Sequence, residues 1–188
     1  NKELFFKIIF SSLPVMILGF ILVKTNFIDS LRNIEIIGWT TIVFGVLLYI
    51  SDKFKLEKKI DSHFNYKSAL IIGLFQMISL IPGVSRSGIT ITAARLMNFE
   101  RFEAAKISFL MSIPTLFAIS VFGLNNLMSK SNIEFSIINF LSIIFSFLFS
   151  FVTIKYFLKF IQRFDLKIFV AYRIILGLII LGFVYLKY

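Results

Sequence analysis

The 188 residues contain no cysteine, one histidine and three prolines, and their ten acidic residues are outnumbered by twenty basic ones. Each scarcity excludes something. Without Cys there is no disulfide, no thiolate metal site and no cysteine nucleophile, while the redox compartment stays undetermined. The single histidine, His63, cannot form a metal-spaced cluster and falls in the most charged loop, where a solvated residue is the plain reading. The acids (Glu3, Asp29, Glu35, Asp52, Glu57, Asp61, Glu100, Glu103, Glu134 and Asp165) all lie in loops or at the ends of apolar segments. No carboxylate pair and no Walker-type phosphate loop is visible. The chain opens on Asn1, without Met and without a charged-then-apolar leader, which reads as a fragment of a longer protein.

What the sequence has in abundance is apolar. Hydrophobic residues make up 58% of the chain and 25 residues are Phe, with a mean hydropathy of +0.91, whereas ordinary soluble domains are roughly 45–50% apolar. This predicts an all-α, polytopic membrane protein, a single integral membrane domain over residues 1–188. Five apolar runs, 4–23, 34–50, 107–124, 135–154 and 168–186, have the length of membrane-spanning helices. Trp39 and Tyr49 sit near the ends of the second, where amphipathic rings prefer the interface. Pro114 is expected to kink the third. The surplus Lys and Arg fall between apolar blocks, as in cytoplasmic loops, and nothing reads as a nucleic-acid surface.

The stretch 69–97 breaks the pattern. It is apolar over 69–81, is interrupted by Pro82-Gly83, and resumes over 87–97, each half too short to cross a membrane. Two half-helices forming a re-entrant hairpin are predicted. Charge counting supports the hairpin. If 69–97 returns to its starting side, fifteen Lys and Arg share one side and four (Lys24, Arg32, Lys130 and Lys187) the other, with Arg86 at the tip. If it crosses, the split is nine against ten, which discards the positive-inside bias.

The tip, Pro82-Gly83-Val84-Ser85-Arg86-Ser87-Gly88-Ile89-Thr90, places an arginine and several hydroxyls at membrane depth. A guanidinium there costs at least ~2.5 kcal/mol on insertion scales, so it is tolerated chiefly where it faces a polar cavity or an anion. Gly83 and Gly88 let backbone approach a ligand, and a helix starting near Ser85 aims unpaired N–H groups and its positive dipole end into the chamber. Arg86 offers a planar fork of donors suited to two phosphate oxygens. Ser85, Ser87 and Thr90 add hydroxyls, and Arg86 and Thr90, four apart, share a face. Gln76, two turns before the break, either faces the chamber or is a hydrogen-bonded core residue. The plainer alternative is that the serines cap a helix while Arg86 snorkels or pairs with a carboxylate. Arg173, at the start of the last span, reads as an interfacial anchor rather than a site residue.

Phe75-Gln76, then Leu80-Ile81 leading into the tip, then Glu103-Ala104-Ala105-Lys106-Ile107-Ser108-Phe109-Leu110 to Pro114, and finally Ala171-Tyr172-Arg173, closely resemble the bacitracin-resistance type of undecaprenyl-diphosphate phosphatase. That resemblance implies an integral hydrolase of the bacterial inner (cytoplasmic) membrane, with inverted repeats and a site opening to the periplasmic or outer face. It would remove one phosphate from undecaprenyl diphosphate, recycling the lipid carrier for peptidoglycan synthesis and conferring bacitracin resistance. It implies catalytic roles for Ser85, Arg86 and Thr90, with Gly83, Ser87, Gly88 and Gln76 binding substrate. It further implies a divalent metal, Mg or Ca, whose carboxylate ligands belong to a first hairpin that has no counterpart here, so the first repeat is incomplete and these residues alone are expected to be inactive. No metal ligand is expected within this chain. Expected partners are a polyprenyl diphosphate and membrane lipids, with no nucleic acid and the oligomeric state open, a homo-oligomer included. Two rivals remain on residue grounds: a secondary transporter or flippase for a phosphorylated anion, since broken helices also serve transport, and a structural membrane subunit.

Overall fold

The computed structural model describes residues 2–25, 31–53, 58–128 and 137–186. The described residues form helices α1 (Lys2–Lys24), α2 (Ile34–Asp52), α3 (Ile60–His63), α4 (Tyr66–Met77, continued by a 3-10 turn, Ile78–Leu80), α5 (Arg86–Leu96), α6 (Arg101–Met128), α7 (Ile137–Arg163) and α8 (Lys167–Leu186). Five of them, α1, α2, α6, α7 and α8, are long and apolar enough to cross a membrane. Among the described residues the only β-type pairing is one isolated bridge, Lys58 to Phe99. The helices outrun the apolar runs because charged residues at their ends continue the helix beyond hydrocarbon. Thus α6 starts at Arg101 and α7 runs on to Arg163. Pro114 lies inside α6 without ending it. Phe135, and Lys55, Lys130 and Lys187 of the charge count, lie outside the described residues.

Helices α4 and α5, on either side of Pro82-Gly83, form a helical hairpin. Its first arm is capped by Asn65, whose Oδ1 accepts from Ser68 N (2.8 Å), and its second ends at Asn98, held at φ 75°, a left-handed conformation that stops helices. At its base Phe64 and Phe99 meet edge to face at 6.2 Å, so the two arms start and finish at one level. The tip reaches Thr40 and Thr41 of α2. Those residues lie twelve and eleven positions before Asp52, which is at the base, or about 17 Å along the helix. A penetration of about half a ~30 Å hydrocarbon layer is what a re-entrant segment requires.

Close packing holds the hairpin in place. A methyl group at Gly73 would sit 2.1 Å from Ser11 O, so α4 and α1 touch backbone to backbone, and Ser11 and Ser12 there are fully buried. On the other side α2 packs on α8: a methyl at Gly177 would lie 3.0 Å from Gly38 O, and one at Gly38 2.7 Å from Leu181. Small residues of this kind let membrane helices approach where no hydrophobic drive exists between them. Ala93, Ala94, Ala104 and Ala105 give α5 and α6 the same closeness.

At the base, a cluster of charges ties four segments together. Asp52, 5% exposed, accepts from Arg101 Nε (2.7 Å) and from Leu166 N (3.2 Å), and its backbone carbonyl accepts from Arg95 Nη2 (3.1 Å). Arg101 also reaches Asp165 (2.7 Å), which pairs with Lys167 (2.9 Å).

Candidate active site at the hairpin tip

The tip's geometry follows from its sequence. Ile81 is extended (ψ 126°), as a residue before proline prefers. Gly83 adopts φ +86°, and a methyl there would lie 2.1 Å from Thr40 Oγ1 and 2.6 Å from Ile37 O, so conformation and space both demand glycine. The Thr40 hydroxyl donates to Pro82 O (2.7 Å) and that of Thr41 to Gly83 O (3.3 Å). These bonds satisfy carbonyls that the helix break releases. Ser85 then caps α5, its Oγ accepting from Gly88 N (3.1 Å) while standing 3.2 Å from Ser87 Oγ. Capping and ligand contact are compatible, because accepting from Gly88 N uses no hydroxyl proton and the Ser85–Ser87 pair uses one, leaving the other to donate.

Arg86 opens α5. Its Nη1 is buried and has no acceptor, and no ion pair involving Arg86 occurs among the described residues. A second guanidinium reaches the same turn. Arg173, expected at the interface, instead turns inward from α8: its Nη2 donates to Gly83 O (3.0 Å) and Thr41 O (3.3 Å), and its Nε is buried without an acceptor. A methyl at Gly88 would come within 3.7 Å of its Nη1. Position near a helix start revealed depth but not direction; direction comes from the α2–α8 contact, where Gly45 leaves room for the Arg173 side chain. The signal available in sequence was the Gly38, Gly45 spacing on α2, seven apart.

Beside the tip lies a cavity of about 330 Å3 lined by Thr41, Gly83, Val84, Ser85, Tyr172 and Arg173 with apolar residues of α2 and α8. Gly83 and Ser85 thus share the cavity with Thr41 and Arg173; Thr40 bonds the same turn, Gly88 lies against Arg173, and Arg86 and Ser87 open α5 beside the cavity without lining it. Thr90 and Gln76 stand behind them. Thr90 is 1% exposed, its Oγ1 2.7 Å from Ser108 Oγ of α6 and 2.9 Å from Arg86 O. Gln76 is fully buried, donating to Thr115 Oγ1 (2.9 Å). His63 is exposed, 2.6 Å from Ser62 Oγ, in the short helix before the hairpin.

A profile of the family described as "Bacitracin resistance protein BacA" matches residues 1–179. The chain belongs to the BacA family. Its relatives include proteins named undecaprenyl-diphosphatase from Pelagibacter ubique (47% identical over 186 residues, 98% of this chain and 72% of the relative), Jannaschia sp. (37% over 185 residues, 98% and 69%) and Roseobacter denitrificans (36% over 178 residues, 95% and 67%).

In this BacA-family chain the tip region holds the guanidiniums of Arg86 and Arg173, the hydroxyls of Ser85 and Ser87 and a helix N-terminus, and among the described residues no Asp, Glu or His lines the cavity beside it. Such a set attracts an anion. Two half-buried cations act more strongly than fully solvated ones, and they stay charged because arginine does not deprotonate in proteins. The same donor set does not fit a divalent cation, which wants carboxylate or carbonyl oxygens. Among the described residues no group of three His, Cys, Asp or Glu stands together.

Proposed function

We propose that this protein hydrolyses undecaprenyl diphosphate to undecaprenyl phosphate and phosphate, and that the hairpin tip grips the diphosphate. The observation carrying this is the pair of buried guanidinium nitrogens, Arg86 Nη1 and Arg173 Nε, that have no protein acceptor. A buried donor left unpaired is costly, and two beside a Pro-Gly break at membrane depth call for an anionic occupant. The prenyl chain would lie in lipid while the headgroup enters between α2, α8 and the tip. The relatives' names favour phosphatase over transporter.

In the reaction Arg86 would hold two oxygens of the terminal phosphate in its planar fork, and Ser85 and Ser87 would donate to the same group. Arg173, fixed by Gly83 O and Thr41 O, would hold the bridging side and stabilise charge on the departing lipid phosphate. Charge stabilisation by prearranged donors is the main protein contribution to phosphoryl transfer. Thr90 would position Arg86 through the Arg86 carbonyl, and Gln76 would hold the first arm against α6. A divalent metal is not accommodated by these residues, and no step here runs through one. The cation-rich base would face the cytoplasm and the site would open to the outer face of the inner membrane.

The test is phosphate release from a polyprenyl diphosphate by the full-length protein. Arg86→Ala should abolish turnover, and Arg86→Lys, which keeps charge but loses the fork, should cut it by about 100-fold or more, in the range of removing one transition-state donor. Unchanged turnover in both would remove Arg86 from the mechanism.

A further inference from the structure

The cytoplasmic end of α7 carries a feature that the hairpin does not use. Helix α7 spans 27 residues, about 40 Å, so its last two turns emerge from a ~30 Å hydrocarbon layer into the headgroup region. There, between α7 and the start of α8, runs a groove of about 640 Å3 whose walls include Tyr156, Phe157, Lys159, Phe160, Arg163 and Phe169. Its floor is aromatic: Phe157 and Phe160 meet Phe169 at 5.0 and 5.9 Å. Its rim is cationic. Lys159 and Arg163, four apart and on one face, are both exposed and make no ion pair among the described residues. The nearest acid in sequence, Asp165, is already held by Arg101 and Lys167.

We propose that this groove binds an anionic glycerophospholipid of the cytoplasmic leaflet. Charge complementarity selects the occupant: two uncompensated cations at headgroup level above an apolar trough match a phosphate joined to acyl chains. The Tyr156 hydroxyl, 65% of the residue being exposed, adds a donor at the same level. A zwitterionic lipid matches the trough and not the rim; free phosphate matches the rim and not the trough. Basic pockets between transmembrane helices on the cytoplasmic side are suited to such lipids, at about a fivefold affinity gain per cation.

Native mass spectrometry of the full-length protein in neutral detergent tests this with phosphatidylglycerol, phosphatidylcholine of the same chains, and inorganic phosphate. Wild type should retain one phosphatidylglycerol under collisional activation that strips phosphatidylcholine. The double variant Lys159→Gln, Arg163→Gln should bind it about 30-fold more weakly, while Lys159→Arg with Arg163→Lys should retain it. Lys155→Gln, one turn away and outside the groove, should behave as wild type. Equal retention in the double variant, equal retention of phosphatidylcholine, or a phosphate adduct without lipid would each overturn the proposal. So would loss of a dimer in place of loss of lipid, which would give the groove to a second copy of the chain.

Discussion

Thr90 shows how a residue chosen for one reason can serve by another. Its place four residues after Arg86 suggested a hydroxyl facing a ligand, yet the side chain turns into α6 and meets Ser108 Oγ at 2.7 Å in a buried site. Both hydroxyls are buried, but Thr90 Oγ1 also donates to Arg86 O (2.9 Å) or Ser87 O (3.1 Å), so removing Thr90 strands Ser108, a loss of about 1–3 kcal/mol, whereas removing Ser108 leaves Thr90 a partner. Thr90→Val should lower unfolding free energy by that amount, and Ser108→Ala by clearly less. The double variant should cost clearly less than the sum, because the second removal strands nothing further. Strict additivity in denaturation measurements would break the pair apart. In the sequence Ser108 is one more polar residue in an apolar span; partnership across eighteen residues and two helices leaves no local pattern to read.

At the scale of elements, the hairpin depends on its base. Asp52 is the hub that joins α2, α5, α6 and the turn before α8, and Arg95 beside it has a side chain only 4% exposed. Removing one partner of a buried pair leaves the other charge uncompensated and costs about 3–5 kcal/mol. Asp52→Ala should therefore lower the unfolding free energy by that much and reduce turnover without touching the tip; a loss below about 1 kcal/mol would show the cluster to be incidental. The outer part of the cluster answers to pH. Asp165 is held below the ordinary carboxylate value of 3.8, first by its hydrogen bond from Lys167 and then by Arg101. A depressed folded value means that the contribution is complete above the unfolded value and disappears as pH falls below it. The stability advantage of wild type over Asp165→Asn should be level at neutral pH and shrink only below about pH 4. An advantage that shrinks already between pH 7 and 5 would contradict that origin. The base cluster was not legible in the sequence, where Asp52 is one more acid at a span end. The hairpin itself was, because segment length and a Pro-Gly break are local properties. Arg173 was misplaced because sequence gives a residue's depth along a helix and not the neighbour it turns toward.

For the whole molecule, topology is the property on which sequence and structure converge by separate routes. Counting charges favours a hairpin because a crossing would divide the cations nine against ten; the structure favours it because Asp52, Arg101 and Asp165, from before and after the hairpin, share one ion cluster. The absence of cysteine makes this directly measurable. Three exposed positions suffice: Thr25 after α1, Asp61 before the hairpin and Gln162 near the end of α7. Single Cys variants at these sites, treated in intact cells with a membrane-impermeant maleimide, should label at position 25 and remain protected at 61 and 162 until the membrane is opened. A crossing segment would carry position 162 to the side opposite 61, so labelling of one without the other would refute the hairpin. Labelling of 61 and 162 together with protection of 25 would keep the hairpin but invert the orientation, and would place the tip within reach of the cytoplasm.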